Sequence, residues 1–125
     1  MAPRQPLKVK LQIFCGDEIA LGPGKADLLD AIDGHGSISA AAKAMGMSYR
    51  RAWLLVDAMN RCWSGPLVEA VAGGSHERGA RLTPLGRDVL QQFRALQEIA
   101  GATAGDRFGH GLANLLASAP RPSQH

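Results

Sequence analysis

The run Ser48-Tyr49-Arg50-Arg51 is the part of this 125-residue sequence best equipped for chemistry. A guanidinium offers a rigid fork of donors that pairs with phosphate, or with O6 and N7 of guanine, and neighbouring hydroxyls suit phosphate oxygens. Ser39 and Lys43, just upstream, add a hydroxyl and a cation of the same use. A second polar concentration lies at 73–79, GGSHERG, which carries His76 and Arg78, with Arg81 soon after. From Lys43 to Arg81 six bases (Lys43, Arg50, Arg51, Arg61, Arg78, Arg81) face three acids (Asp57, Glu69, Glu77), an excess that accounts for the whole formal charge of +3. A positive middle on a neutral frame is what a polyanion-binding face requires.

Catalytic chemistry has no comparable footing. The four histidines (His35, His76, His110, His125) form no HExxH pattern, and neither a GxSxG elbow, a P-loop nor GxGxxG occurs. Cys15 and Cys62 have no metal-like spacing. Arg61 beside Cys62 would favour a thiolate, but packing as a small apolar residue is the stronger reading. Asp27, Asp30 and Asp33 recur every three residues and read as the wet face of a helix, since no further ligand adjoins them. The expectation is a protein that is not an enzyme and holds no cofactor or metal. Apolar residues make up 46% and charged residues 20%, which suits one globular domain. The apolar runs fall short of the roughly 20 residues of a membrane span, and the start MAPRQPLKVK lacks the apolar core of a secretory signal. A cytoplasmic protein with no membrane partner is expected.

The elements that must position these groups follow from periodicity. Val9, Leu11 and Ile13 alternate with Lys8, Lys10 and Gln12, which predicts a strand, with a turn at 15–18 and a return strand at 19–21. Gly22-Pro23-Gly24 breaks regular structure. Leu28, Leu29 and Ile32 then mark a helix that stops at Gly34. Ser37 or Ser39 caps an alanine-rich helix through Ala44, and Gly46 ends it. Ser48 caps a second helix, from Tyr49 to about Arg61, whose inner stripe is Ala52, Val56 and Met59. Trp53 adjoins that stripe and is read as core. Two helices joined by a short turn containing Gly make a helix-turn-helix, in which the second projects its N-terminal turn at its target.

Beyond a break at 63–66, Leu67, Val68 and Val71 predict one strand and Ala80 to Leu82 another, with the glycine-rich loop between them. A hairpin directly after a helix-turn-helix is a wing, which would bring His76, Arg78 and Arg81 beside a duplex. Thr83-Pro84 starts a helix, predicted over 84–101. Leu85, Val89, Phe93, Leu96 and Ala100 step along it by four, four, three and four. Such a stripe suits pairing with a second copy, because helix-turn-helix proteins commonly occupy two half-sites. A short helix is expected within 111–117. The organisation expected is a flexible start (1–6), a winged helix-turn-helix domain with its dimerisation helix (7–103), and a partly disordered extension (104–125). The fold class is α+β, mainly α.

GSISAAAKAMGMSYRRAW, then DAMN, LVEAVAGG and RLTPLGRDVL, resemble in that order the N-terminal DNA-binding domain of the ModE family of molybdate-responsive bacterial regulators. The SISxAA pattern also resembles the winged helix-turn-helix of LysR-type regulators. The match runs from about Leu7 to Ile99. It implies a homodimer that binds double-stranded operator DNA at a palindrome, usually as a repressor. The family's C-terminal Mop domains carry an SARNxxxG-type signature that this sequence lacks, so no molybdate site is carried over. The wing, GGSHERG, also departs from the family's more purely glycine-rich loop. The runner-up reading is a winged-helix protein-interaction module that does not read DNA sequence. Salt separates the two, since binding through several phosphates weakens steeply as salt rises.

Overall fold

A computed structural model describes residues 5–72 and 78–123. Elements follow in the order β1 (Ile13–Cys15), β2 (Glu18–Leu21), α1 (Pro23–His35), α2 (Ile38–Ala44), α3 (Tyr49–Cys62), β3 (Val68–Val71), β4 (Gly79–Leu82) and α4 (Pro84–Gly109), then a 3-10 turn at Leu112–Asn114. The fold is α+β and mainly helical, with two separate antiparallel hairpins, β1–β2 and β3–β4.

The first hairpin is shorter than the alternation from Val9 suggests. Only Ile13–Cys15 pairs with β2, and the register shifts between Ile13 and Phe14. Leu11 and Ile13 still turn inward against the core while Val9 stays exposed, so the alternation reports side-chain direction without ladder pairing. Pro23 does not break the chain but opens α1, where its missing N–H is no loss. That helix ends slightly later than Gly34. Gly36 takes the left-handed conformation (φ 78°) and donates its N–H to the Ile32 carbonyl at 2.8 Å.

Ser37, of the two serines considered, caps α2 by accepting from the Ala40 N–H at 3.0 Å. Ala41 and Ala42 are buried, and their small side chains let α2 lie close on α3. Gly46 turns the chain with φ 69°, and Ser48 caps α3 through the Arg51 N–H at 3.1 Å. Helix α3 buries Ala52, Val56 and Met59 as its periodicity predicts. Around that stripe one continuous core gathers Leu21 from β2, Leu28, Leu29 and Ile32 from α1, Leu67, Val68 and Leu82 from the second hairpin, and Leu90 and Phe93 from α4.

The β3–β4 hairpin is anchored by hydrogen bonds as well as by its buried Val68, Ala80 and Leu82. Asn60 Oδ1 accepts from the Leu67 N–H (2.8 Å) and the Val68 N–H (3.0 Å), and its Nδ2 donates to the Val68 carbonyl (3.1 Å). On the other side the Ala80 N–H donates to the Gly36 carbonyl at 2.9 Å, tying β4 to the α1–α2 link. Thr83 joins hairpin to α4. Its N–H donates to the Leu67 carbonyl (2.9 Å), its hydroxyl donates to the Pro66 carbonyl (2.7 Å), and the same oxygen accepts from the Gly86 N–H (2.9 Å).

Helix α4 runs to Gly109, eight residues past its expected end, through Gly101 and Gly105. Its apolar stripe divides. Phe93 is buried in the domain's own core, and Leu85 and Val89 pack against that core, while Leu96 and Ile99 stand exposed and Ala100 is half-buried. The aspartates of α1 are wet but not idle. Arg94 of α4 pairs with Asp27 (2.8 Å) and with Asp30, and Arg87 pairs with Asp33 (3.0 Å), so their threefold spacing matches a row of α4 cations. The expected helix within 111–117 is a single 3-10 turn.

Candidate nucleic-acid interface

The first turn of α3 faces solvent. Ser48, Tyr49, Arg50 and Arg51 are all exposed, with Ser48 spending its side-chain oxygen on the cap. The ion pairs among the described residues join Arg61 to Asp57, Arg81 to Glu69, Arg87 to Asp33 and Arg94 to Asp27 and Asp30, with His110 beside Asp106. Within that set Arg50 and Arg51 have no carboxylate partner. Two uncommitted guanidinium groups therefore sit at the positive end of the α3 dipole, where they add to the field of its free N–H groups.

Beside them runs an open cleft of about 980 Å³, bounded by the start of α2, one side of α3 and the β3–β4 hairpin. Ser39 and Lys43 line it from α2, Tyr49 and Trp53 from α3, and Arg78 from the hairpin. The fold thus brings Ser39, Lys43, Tyr49 and Arg78 to one concavity, with Arg50 adjoining at Tyr49 and Trp53. His76 lies outside the described residues. Arg81 is otherwise engaged: it faces Glu69 across the hairpin register and its Nε donates to that carboxylate at 2.8 Å.

Three further groups carry perturbed proton affinities. Arg61 is held above the usual guanidinium range by its hydrogen bond to Asp57, and Arg94 likewise by Asp30 and Asp27. Both therefore stay cationic throughout, but each is matched by acids of its own domain. Burial pushes the Cys62 thiol up, with Cys15 close by as a second cause. Among the described residues no group of three or more His, Cys, Asp or Glu could hold a metal ion. Nor is any helix there long and apolar enough to cross a membrane.

The sequence reading placed Trp53 in the core, and this is corrected. Trp53 is 47% exposed, and Leu54 next to it 48%. Trp53 falls on the flank of α3, about 100° from Ala52, so it borders the stripe and still looks into the cleft. Asn60 was missed altogether. An asparagine in the last turn of an amphipathic helix carries no periodic signal, and its role appears only when the β3 backbone is set against it.

No family model matches the chain. It is similar to the molybdenum transport protein ModE of Azotobacter vinelandii, with 43% identity over 93 residues, 74% of this chain and 34% of that protein. The molybdenum-pterin-binding protein MopA of Rhodobacter capsulatus is 37% identical over 93 residues, 74% of this chain and 35% of the relative. The DNA-binding transcriptional dual regulator ModE of Escherichia coli K12 is also 37% identical over 93 residues, covering 74% and 34%. The chain spans about a third of the length of these relatives. Over roughly three quarters of its own length it is homologous to the N-terminal region of ModE regulators.

Proposed function

We propose that this chain is the operator-binding domain of a ModE-family transcription regulator, a winged helix-turn-helix that binds a palindromic site as a homodimer in the cytoplasm. The observation that carries the reading is the exposed N-terminal turn of α3, with Arg50 and Arg51 unmatched by acids among the described residues. Arg50 and Arg51 reach base edges or phosphates, Tyr49 and Ser48 meet phosphate, and Ser39, Lys43 and Arg78 flank the same path. His76, outside the described residues, is assigned to the same contact from the sequence alone. The relative from Escherichia coli, described as a DNA-binding transcriptional dual regulator, supports the assignment. The exposed half of α4, Leu96 and Ile99 beside Ala100, supplies the face on which a second copy would pair. Repression is the simplest outcome, because a dimer seated on a promoter excludes the polymerase. The reading assigns this chain the DNA contact and no effector site.

The test is enrichment of bound duplexes from a random pool by purified protein, followed by binding curves at several salt concentrations. An enriched palindrome is expected, with an affinity that falls linearly in log–log form as salt rises. Arg50→Ala and Arg51→Ala should each weaken it by about tenfold or more. Sedimentation should report a dimer that Ile99→Glu dissociates. Absence of any enriched sequence at low salt would reject the reading in favour of a protein-interaction module.

A further inference from the structure

Helix α3 buries one apolar stripe and exposes a second. Tyr49, Trp53 and Leu54, all within its first six residues, are 56%, 47% and 48% exposed. A solvated helix face does not need three large apolar side chains, and concentrating them at one end of one helix marks a contact surface. Its occupant is indicated by charge. Arg50 and Arg51 are interleaved with the patch and Lys43 lies across the cleft, so an apolar protein groove would have to bury unmatched cations. A duplex does not impose that cost. In its major groove the one strongly apolar feature on a base edge is the C5-methyl of thymine.

Resting on the DNA-binding reading above, we infer that Trp53 and Leu54 make this domain a reader of thymine methyl groups. Leu54 lies four residues after Arg50, on the same row of the helix, and Trp53 four after Tyr49. One turn advances about 5.4 Å along the axis. The thymine met by Leu54 therefore falls one or two base-pair steps from the base met by Arg50. Tyr49 ends the patch with its hydroxyl toward the backbone. The half-site would contain a guanine contacted by arginine and at least one nearby thymine whose methyl, not only its hydrogen-bonding edge, carries affinity.

Uracil in place of thymine removes the methyl and keeps every Watson–Crick and groove hydrogen-bonding atom. The experiment takes the enriched duplex, replaces each half-site thymine in turn by deoxyuridine, and measures binding to the full chain, to Trp53→Ala and to Leu54→Ala. Circular dichroism and thermal melting confirm that each variant is folded. The wild type should lose about fourfold per methyl at one or two positions, the scale of burying one CH2-sized group, and about fifteenfold when both half-sites are changed. One of the two variants should bind thymine and uracil duplexes alike at the position it reads, with an unchanged salt slope. If the wild type tolerates uracil everywhere while still selecting its sequence, methyl reading is wrong and DNA binding stands. Equal losses on both duplexes in the variants would show a structural role and overturn the inference. Undiminished DNA binding by both variants would assign the patch to another macromolecule and overturn it too. If no duplex is bound at all, the underlying DNA reading fails first.

Discussion

Replacing Gly86 by alanine sets helix propensity directly against packing. Gly86 is the third residue of α4, and in an exposed helix alanine is preferred to glycine by about 1 kcal/mol. Here a Cβ would lie 2.1 Å from the Leu67 carbonyl oxygen and 2.9 Å from its carbon. Both are backbone atoms held by the Thr83 N–H and by Asn60, so no side-chain rotation relieves the overlap. The start of α4 would have to retreat by about 1 Å or more to restore ordinary contact. That movement pulls on the Thr83–Pro66 and Thr83–Gly86 hydrogen bonds as well. Overpacking against a fixed neighbour costs about 1–3 kcal/mol, and loosening two hydrogen bonds about 1 kcal/mol each. Against the propensity gain, a net loss of about 2–4 kcal/mol is expected. In urea melts, with a slope near 1–2 kcal/mol/M for a domain of this size, the midpoint should fall by about 1–4 M. Gly34→Ala is the control: a Cβ there meets nothing within 4 Å, so it should be neutral or slightly stabilising. Gly86→Ala melting at or above the wild-type midpoint would refute the claim that α4 is seated on the Leu67 backbone.

Asn60→Ala removes the acceptor of two β3 N–H groups and the donor to the Val68 carbonyl, and should cost about 2–4 kcal/mol, seen in the same melts, with hydrogen exchange at Leu67 and Val68 speeding up. Arg94→Ala breaks the pairs with Asp27 and Asp30, but these groups are largely solvated, so the loss should stay below about 1 kcal/mol and shrink in 1 M salt. Cys15 is exposed, whereas burial holds the Cys62 thiol above its ordinary range, which lowers its thiolate fraction at a given pH. Iodoacetamide at neutral pH should therefore modify Cys15 first, with Cys62 following only as the pH is raised. Peptide mass mapping that finds Cys62 labelled first would count against this.

Local signals specify most of the helix-turn-helix. Ser48 and Thr83 accept from the N–H three residues on, Gly46 turns through its own backbone, and the Ala52, Val56, Met59 stripe follows a fixed helical period, so each is legible within a few residues. The candidate anion contacts at Tyr49–Arg51 are legible for the same reason, because their exposure follows from that stripe. What the local pattern could not contain is which face meets which neighbour. Gly34 and Gly36 are equally good helix stops in isolation, and Ile32 with the β4 edge selects Gly36. The α4 stripe reads as one surface, yet the domain is short enough that only its first half finds core to cover, leaving Leu96 and Ile99 outside. Asn60, Gly86 and the Asp27–Asp30–Asp33 row depend on partners up to 67 residues away in the chain. Trp53 was misplaced because a residue beside a buried stripe is inside or outside according to what packs on that flank, and there the fold leaves a cleft. The sequence by itself determined most of the elements, the Ser48 and Thr83 caps and the basic start of α3. Only tertiary structure decided which apolar side chains became core and which remained as contact surface, since burial is a property of neighbours and not of the residue.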